Sequence, residues 1–277
     1  MIDLHSHTNE SDGTFTPVEL IAEAARVGVT TLGITDHDTF AGYDLAKPVA
    51  PDAGVELVRG IELSTKLHGQ SVHLLGYFFH EDRLDEFCSW VLNMQDSRRD
   101  RNVRLAARLR ELGVDITIEE AEARGRGMTG RPHFAQILLE KGYVKSVQQA
   151  FDDYLDSSAK GYVDREEPQF ADAVGRIRRA SGIASLAHPI RVKGNITTML
   201  PELCNAGLNA IEAYHTDHSR QDTQLYLDLA ERHGLLVTGG SDFHGSVKPG
   251  LELGTGRENS LQIPEDVMQR LRHASGA

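Results

Sequence analysis

Residues 1–38 read MIDLHSHTNESDGTFTPVELIAEAARVGVTTLGITDHD and predict one strand–helix–strand unit. The apolar segment at 2–7 predicts a short strand that runs into His-Ser-His. The stretch Thr-Pro-Val-Glu at 16–19 predicts a helix start, with threonine as the N-cap, proline at the first helical position and glutamate completing a capping box. Gly28 stands where this helix should end, and the β-branched run at 29–35 predicts a buried strand.

The alternation of strands and helices resumes after a long helical segment. Residues 83–160 show helical periodicity without clear strands. Further strands are predicted at 55–63, 71–79, 182–187, 208–214 and 235–240, and further helices at 168–180 and 221–233. Strands that alternate with helices across short connections favour a parallel sheet, either a barrel or an open sheet. We therefore predict an α/β domain formed by residues 1–82 and 161–277, with a helical insertion domain at 83–160 that covers the substrate.

Composition limits the partners and the compartment. The net charge of −12 over 277 residues argues against a surface for long nucleic acid, although bound divalent cations would still admit an anionic substrate. No apolar run approaches the roughly 20 residues of a membrane span, and no secretion signal is visible, so we predict no membrane partner. Cys88 and Cys204 form no Cys-x-x-Cys pair, which favours a reducing cytoplasm over a disulfide scaffold.

Histidine, aspartate and glutamate recur where the predicted strands end. Nine of them are candidate metal ligands: His5, His7, Asp12, His37, Glu62, His73, His188, Asp242 and His244. In a parallel barrel the carboxyl ends of the strands open on one face, and residues two apart in a strand point to the same side. Five other histidines lack this placement and are predicted to lie on the surface or on helices: His68, His80, His218, His233 and His273.

The prediction of a metal site rests on the whole set of these residues rather than on any one of them. A single histidine in an apolar segment is more often structural than a ligand, but ligand types at five or more separate strand ends indicate a metal site. Imidazole and carboxylate together suit Mn²⁺, Zn²⁺ or Fe²⁺. Nine groups are too many for one ion, so we predict two or three divalent ions, Mn²⁺ first, with Glu62 as a candidate bridge.

Several motifs taken together resemble those of the PHP (polymerase and histidinol phosphatase) family. They are Asp-Leu-His-Ser-His-Thr at 3–8, Ser-Asp-Gly at 11–13, Ile-Thr-Asp-His-Asp at 34–38, Gly-Ile-Glu at 60–62, His-Leu-Leu-Gly at 73–76, Ala-His-Pro at 187–189 and Gly-Ser-Asp-Phe-His at 240–244. The resemblance covers the chain except the helical insertion. It implies a distorted (β/α)₇ barrel, TIM-like and related to the amidohydrolases.

The resemblance also implies how the ligands are shared among metals. It groups them into a first site of His5, His7, Glu62 and Asp242, a second of Glu62, His73 and His188, and a third of Asp12, His37 and His244. Some family members carry histidine where Asp12 stands, which bears on metal preference and occupancy at the third site.

The insertion is rich in arginine, at Arg98, Arg99, Arg101, Arg104, Arg108, Arg110, Arg124, Arg126 and Arg131. Most of these are predicted to form a solvated face balanced by neighbouring acids. Arg131 and His133 differ, because a Gly-rich loop entering a helix offers free N–H groups, and a guanidinium fork favours phosphate. We predict that both contact a substrate phosphate remote from the metals, with Arg98 and Asp12 as further substrate contacts.

Chain length and Thr-Gly-Arg-Pro-His at 129–133 resemble one PHP branch, the nucleoside 3′,5′-bisphosphate phosphatases and the 5′-to-3′ exoribonucleases acting on short RNA. This implies a nucleotide or short oligonucleotide as substrate. The expected reaction is hydrolysis of the 3′-phosphate of a nucleoside 3′,5′-bisphosphate by a hydroxide that bridges the metals. Glu62, Asp242 and His215 are the expected catalytic residues, with His215 as an acid or a substrate contact.

Other functions stay open at this point. They are an exoribonuclease or phosphodiesterase acting on short oligonucleotides, a phosphatase of the histidinol-phosphate type, a hydrolase of amide bonds, and a non-catalytic PHP module that binds metal. Missing ligands would mark the non-catalytic module, and all nine are present. No nucleophile elbow, P-loop or Rossmann fingerprint points to another chemistry.

Overall fold

The computed structural model describes residues 1–125 and 128–276, so Arg126 lies outside the described residues. Within these ranges the strands are β1 Ile2–Ser6, β2 Thr31–Ile34, β3 Glu56–Leu67, β4 Gln70–Phe78, β5 Ile183–Leu186, β6 Ala210–His215 and β7 Leu236–Gly240. The helices are α1 Pro17–Val27, α2 Ala41–Ala46, α3 Asp85–Glu111, α4 Ile118–Glu122, α5 Arg131–Glu140, α6 Val147–Ala150, α7 Phe170–Arg179, α8 Ile196–Asn205, α9 Arg220–His233 and α10 Asp266–Ser275. A π-helical turn, Phe151–Leu155, follows α6 directly.

The sheet is a nearly closed seven-stranded barrel, as predicted. Its strands are hydrogen-bonded in sequence order from β1 to β7. The N–H groups of Asp242 and His7 donate to the carbonyl oxygens of His5 and Phe243, both at 2.9 Å, and so join the segment after β7 to β1. Gly240 permits this closure, because a Cβ there would stand 2.2 Å from Cβ of His5.

Strand β4 runs antiparallel to both of its neighbours, so the prediction of an all-parallel sheet is wrong there. Only His68 and Gly69 connect β3 to β4, with φ of 48° and 79°. Two residues with positive φ suit a hairpin turn, whereas a parallel crossover needs a dozen residues or more. The reversal places His73 near the start of β4, opposite Ser64. His73 therefore reaches the metal face from the amino end of its strand.

The first helix is built as its sequence predicts. The hydroxyl of Thr16 accepts from the N–H of Glu19 at 3.2 Å, and the carboxylate of Glu19 accepts from the N–H of Thr16 at 2.8 Å. This capping box satisfies two of the free N–H groups at the helix start. Gly28 ends α1 with a φ of 82°, a left-handed conformation that glycine adopts without steric cost.

Helix α3 joins the barrel to the insertion. In its first half, Phe87 and Val91 pack into the main barrel core. In its second half, Leu105 and Leu109 pack into a separate core shared with α5 and its neighbours. A helix of 27 residues is about 40 Å long, enough to serve both cores. The domain boundaries at 82/83 and 160/161 stay a prediction.

A buried ion pair also fixes α3 to the barrel. Asp38 follows β2 and is fully buried. Its carboxylate accepts from both Arg98 of α3 and Arg165, the latter at 3.1 Å, and from the N–H of Ser64 at 2.9 Å. The two guanidinium groups hold the pKa of Asp38 well below its usual range, although burial alone would raise it.

Across the described ranges, none of the helices is both long and apolar enough to cross a membrane.

Candidate metal centre

Glu62 lies at the centre of the barrel mouth, on β3, and is buried. Its Oε2 faces Nε2 of His7 at 3.2 Å and Nδ1 of His37 at 3.2 Å. Its Oε1 faces Nδ1 of His73 at 2.8 Å and Nε2 of His188 at 2.9 Å. Burial would raise the pKa of Glu62, but the surrounding imidazoles hold it well below its usual range. An ionised carboxylate whose two oxygens face different histidines can bridge two cations.

One cluster around Glu62 combines two histidines of β1 with Asp242, which follows β7. His5 and His7, two residues apart on β1, direct their Nε2 atoms toward Oδ1 of Asp242 at 3.5 and 3.4 Å. With Glu62, these three residues form a four-ligand group whose ligand atoms lie within 4.8 Å of one another. This is the set that the family resemblance grouped as the first metal site.

A second four-ligand group lies beside it. Asp12 presents Oδ1 to Nε2 of His244 at 3.2 Å and Oδ2 to Nε2 of His37 at 3.6 Å. His7 belongs to this group as well. The carbonyl oxygen of Asp242 accepts from Nδ1 of His244 at 2.8 Å, which leaves Nε2 of that ring free to bind a metal. These residues include the three that were grouped as the third metal site.

A third group surrounds Oε1 of Glu62. His73 and His188 both contact this oxygen, as the grouping for the second site implies. His37 also has a ring nitrogen within reach of Glu62 and His73. His37 therefore stands between the second and third sites, and its assignment to the third site alone stays a prediction.

The donor set fits divalent cations. The buried ring nitrogens Nε2 of His5, Nε2 of His7, Nδ1 of His37 and Nδ1 of His73 have no hydrogen-bond partner among the described residues. Buried polar atoms are normally paired, so a cluster of unpaired nitrogens around two carboxylates fits a site for divalent cations. Burial would lower the pKa of His7, but the carboxylates of Asp242 and Glu62 raise it to about 9.

Glu212 supports this centre and was missed at the sequence level. It is fully buried on β6 and accepts from Nδ1 of His5 at 2.9 Å and from the N–H of His188 at 2.6 Å. Such a partner fixes the tautomer of a ligating histidine and directs its other nitrogen to the metal. A single glutamate within the apolar strand at 210–215 was the available signal.

Replacing Glu212 with glutamine should weaken metal binding by roughly 10–100-fold, as loss of a carboxylate behind a ligating histidine typically does. Titration of Mn²⁺ into metal-free protein measures this effect. Glu202→Gln is the matched control, because Glu202 pairs with His68 on the surface. Equal Mn²⁺ affinity in Glu212→Gln and wild-type protein would show that Glu212 does not orient a ligand.

Comparison with known proteins identifies the family. A protein-family model described as PHP domain matches residues 3–202. The chain belongs to the PHP domain family. A 5′-3′ exoribonuclease from Haemophilus influenzae is 32% identical over 246 residues, covering 87% of this chain and 89% of that protein. A 3′,5′-nucleoside bisphosphate phosphatase from Chromobacterium violaceum is 32% identical over 258 residues, covering 91% and 90%.

A solved structure has a similar fold over nearly the whole chain. It is a protein from Bifidobacterium adolescentis assigned as a metal-dependent phosphoesterase, with a TM-score of 0.87, 30% identity and coverage of 98% of this chain and 95% of that one. This protein is therefore a metal-dependent phosphoesterase of the PHP family, as the sequence predicted. Relatives of equal identity carry different named activities, so the family does not decide the substrate.

A cavity of about 600 Å³ opens over the candidate metal ligands. It is lined by seven of the nine, namely Asp12, His37, Glu62, His73, His188, Asp242 and His244. Five arginines line the same cavity: Arg98, Arg101, Arg131, Arg165 and Arg191. The insertion thus contributes cations to the cavity that the candidate metal ligands line.

The predicted substrate contacts fall in different places. Arg131 lines the cavity, and its Nη1 donates to the carbonyl oxygen of Leu155 at 3.3 Å. Arg98 lines the cavity but is tied to Asp38 and, at 3.0 Å, to the hydroxyl of Ser64. The buried ring of His133 accepts the N–H of Gly130 at Nδ1, at 3.0 Å, and so also caps α5.

His215 lies behind Asp242 and is not among the residues that line the cavity. Its Nδ1 accepts from the N–H of Asp217 at 3.0 Å, and its Nε2 faces Oδ2 of Asp242 at 3.5 Å. A neutral His215 ring would therefore carry its proton on Nε2, directed at Asp242. A role for His215 as catalytic acid stays a prediction.

Two cations at the cavity wall were missed. Nζ of Lys248 contacts Oδ2 of Asp242 at 2.6 Å, and Nη1 of Arg191 contacts the same oxygen at 3.0 Å. Arg191 also pairs with Asp217 at 2.5 Å. Both come shortly after a PHP motif in the sequence: Arg191 is two residues after Pro189, and Lys248 is four residues after His244. Their positive charge faces the space where an anionic substrate would meet the metals.

Proposed function

We propose that this PHP protein removes the 3′-phosphate of nucleoside 3′,5′-bisphosphates. The single observation that carries the proposal is that one cavity is lined by two groups of residues suited to phosphate, the metal-ligand cluster and the arginine cluster that contains Arg131. A substrate with one phosphate would use one of these clusters only. The name of the C. violaceum relative, a 3′,5′-nucleoside bisphosphate phosphatase, supports the same substrate class.

The remote phosphate would position the substrate. Arg131, with Arg98 and His133, would bind the 5′-phosphate by charge-assisted hydrogen bonds. A guanidinium fork matches the geometry of phosphate oxygens better than a single ammonium does. The 3′-phosphate would then lie over Glu62 and Asp242, where in-line attack on phosphorus is possible.

The nine ligands would hold two or three divalent ions, Mn²⁺ first, with Zn²⁺ or Fe²⁺ as alternatives. Bound ions supply Lewis acidity at the phosphoryl oxygens and lower the pKa of water enough to give a hydroxide nucleophile near neutral pH. Lys248 and Arg191 at the cavity wall would offset negative charge on the phosphoryl group. The bond from phosphorus to the 3′-oxygen breaks, the 3′-oxygen takes a proton, and a nucleoside 5′-monophosphate and inorganic phosphate leave.

Substrate comparison tests the proposal. Protein loaded with Mn²⁺ should release phosphate from adenosine 3′,5′-bisphosphate and release little from AMP, histidinol phosphate or a short 5′-phosphorylated RNA. The chelator-treated protein is the control and should be inactive. If no phosphate appears and mononucleotides accumulate from the RNA, the protein is a 5′-3′ exoribonuclease like its H. influenzae relative, and the monoesterase proposal fails.

Replacing Arg131 with alanine should raise KM for adenosine 3′,5′-bisphosphate by about 10–100-fold while kcat changes little. Lost hydrogen bonds to a charged group cost about 1.5–3 kcal/mol, and a contact remote from the reacting phosphate stabilises ground and transition states alike. Steady-state phosphate release measures both constants. Arg99→Ala is the control, because Arg99 pairs with Glu122 on the surface. An unchanged KM for Arg131→Ala would exclude Arg131 from 5′-phosphate binding.

A further inference from the structure

Arg101 is a buried cation that the proposed mechanism does not use. It lies on α3, one turn after Arg98, and only 4% of its surface is exposed. Among the described residues it forms no ion pair, and its Nε has no hydrogen-bond acceptor. The sequence predicted a solvated arginine face here, and the structure corrects that prediction for Arg101, because the insertion folds over this side of α3.

The surroundings of Arg101 are strongly positive. Burial and the neighbouring guanidinium groups of Arg98 and Arg131 lower the pKa of Arg101 to about 8. Arginine nonetheless stays protonated in proteins, because its intrinsic pKa is so high. Asp38 is already shared by Arg98 and Arg165, and the carboxylate of Glu167 acts on Arg101 without forming an ion pair among the described residues. An uncompensated buried charge is costly, so this arrangement favours a bound anion.

A second cavity of about 240 Å³ meets the main cavity at Arg101. Arg101, Arg131, Arg165 and Arg191 line both cavities, together with the carboxylates of Asp156 and Glu167. The second cavity continues to Lys193 and Tyr162, and among the described residues none of the nine metal ligands lines it. A group in this cavity would therefore lie against the arginines rather than against the metal ligands.

We infer that the second cavity binds an additional phosphate of the substrate's 5′ chain, so that the enzyme accepts 3′-phosphorylated nucleosides carrying a 5′-diphosphate. The inference rests on the proposed function, which places the first 5′-phosphate at Arg131. A phosphate monoester carries a charge of about −1.5 to −2. A second phosphate would add a negative charge that can pair with the Arg101 guanidinium. Because Arg101 and Arg131 each line both cavities, a chain of two phosphates would contact both guanidinium groups.

Calorimetric titration of Mn²⁺-loaded protein with ADP and with AMP tests the inference without any catalytic step. ADP should bind at least about tenfold more tightly than AMP. In Arg101→Gln this ratio should fall to about one, because the added phosphate then meets no unpaired guanidinium. Arg110→Gln is the matched control, since Arg110 lies exposed on the same helix and the charge change is identical. If Arg101→Gln does not fold, Arg101→Lys replaces it, and the ratio should fall as well, because lysine lacks the guanidinium fork.

Two outcomes would overturn the inference. Equal affinity of the wild-type protein for ADP and AMP would exclude a second phosphate site. A preference for ADP that persists in Arg101→Gln would assign the added phosphate to the metal ions instead. The proposed function fails separately, because absence of phosphate release from adenosine 3′,5′-bisphosphate would leave the affinity ratio untouched.

Discussion

Phosphate release should fall at least about 1,000-fold when Glu62 is replaced by glutamine, and the number of metal ions bound per chain should fall with it. Glu62 is the carboxylate that faces two sets of histidines, so its charge is needed on both sides. Metal ions contribute several kcal/mol of transition-state stabilisation, and each 1.36 kcal/mol corresponds to a factor of about ten in rate. Steady-state kinetics and elemental analysis of the purified variant measure the two effects.

The control for Glu62→Gln is Glu56→Gln. Glu56 lies on the same strand and pairs with Arg272 at the surface, so the substitution removes the same charge far from the metal ligands. Rate and metal content should match wild-type protein in this control. A Glu62→Gln variant that keeps its full metal content and more than a tenth of its activity would show that Glu62 is not a bridging ligand.

Replacing Asp38 with asparagine should lower the free energy of unfolding by about 3 kcal/mol. Asp38 is fully buried and accepts hydrogen bonds from both Arg98 and Arg165. Asparagine would leave two buried guanidinium groups without their carboxylate, and removal of one partner of a buried ion pair typically costs about 3–5 kcal/mol. Urea unfolding followed by circular dichroism measures the change.

Asp172→Asn provides the contrast. Asp172 and Arg176 form an exposed pair one helical turn apart, and such pairs contribute only about 0.3–0.5 kcal/mol. A loss below 1 kcal/mol for Asp38→Asn would mean that the Arg98 and Arg165 side chains find other partners or solvent. In that case the connection between α3 and the barrel would not depend on Asp38.

Much of the barrel and its ligand set could be predicted because local chemistry repeats at each strand end. His5 and His7 obey the two-residue period of a strand, and the structure brings both to the Glu62 carboxylate. The capping box at Thr16 and the left-handed Gly28 fixed the first helix from a few residues. These features depend on neighbours in sequence, so no long-range information was needed.

Features that depend on distant partners could not be predicted in this way. Apolar and polar side chains would alternate along β4 in the same way in a parallel or an antiparallel pairing. Only the two-residue link at His68 and Gly69 indicated that β4 is antiparallel to β3. Glu212 appeared as one acid in an apolar strand, and its contact with His5 spans 207 residues of sequence. Arg101 was assigned to a solvated face because helical spacing does not reveal what folds over a helix.

The insertion explains why family resemblance leaves the substrate open. The barrel supplies the metal ligands, whereas Arg131 and Arg101 come from the insertion. Relatives named as a nuclease and as a phosphatase are equally similar to this chain, at 32% identity. Substrate selection should therefore follow the shape and charge of the arginine cluster in the cavity rather than the metal ligands.

The most direct test of the metal centre is anomalous diffraction at the manganese edge from crystals equilibrated with Mn²⁺. We expect two or three peaks inside the barrel mouth, with the two carboxylate oxygens of Glu62 each about 2.2 Å from a different ion. A map without peaks among His5, His7, His73, His188 and Asp242, or with one ion that Glu62 does not contact, would contradict the bridged metal centre.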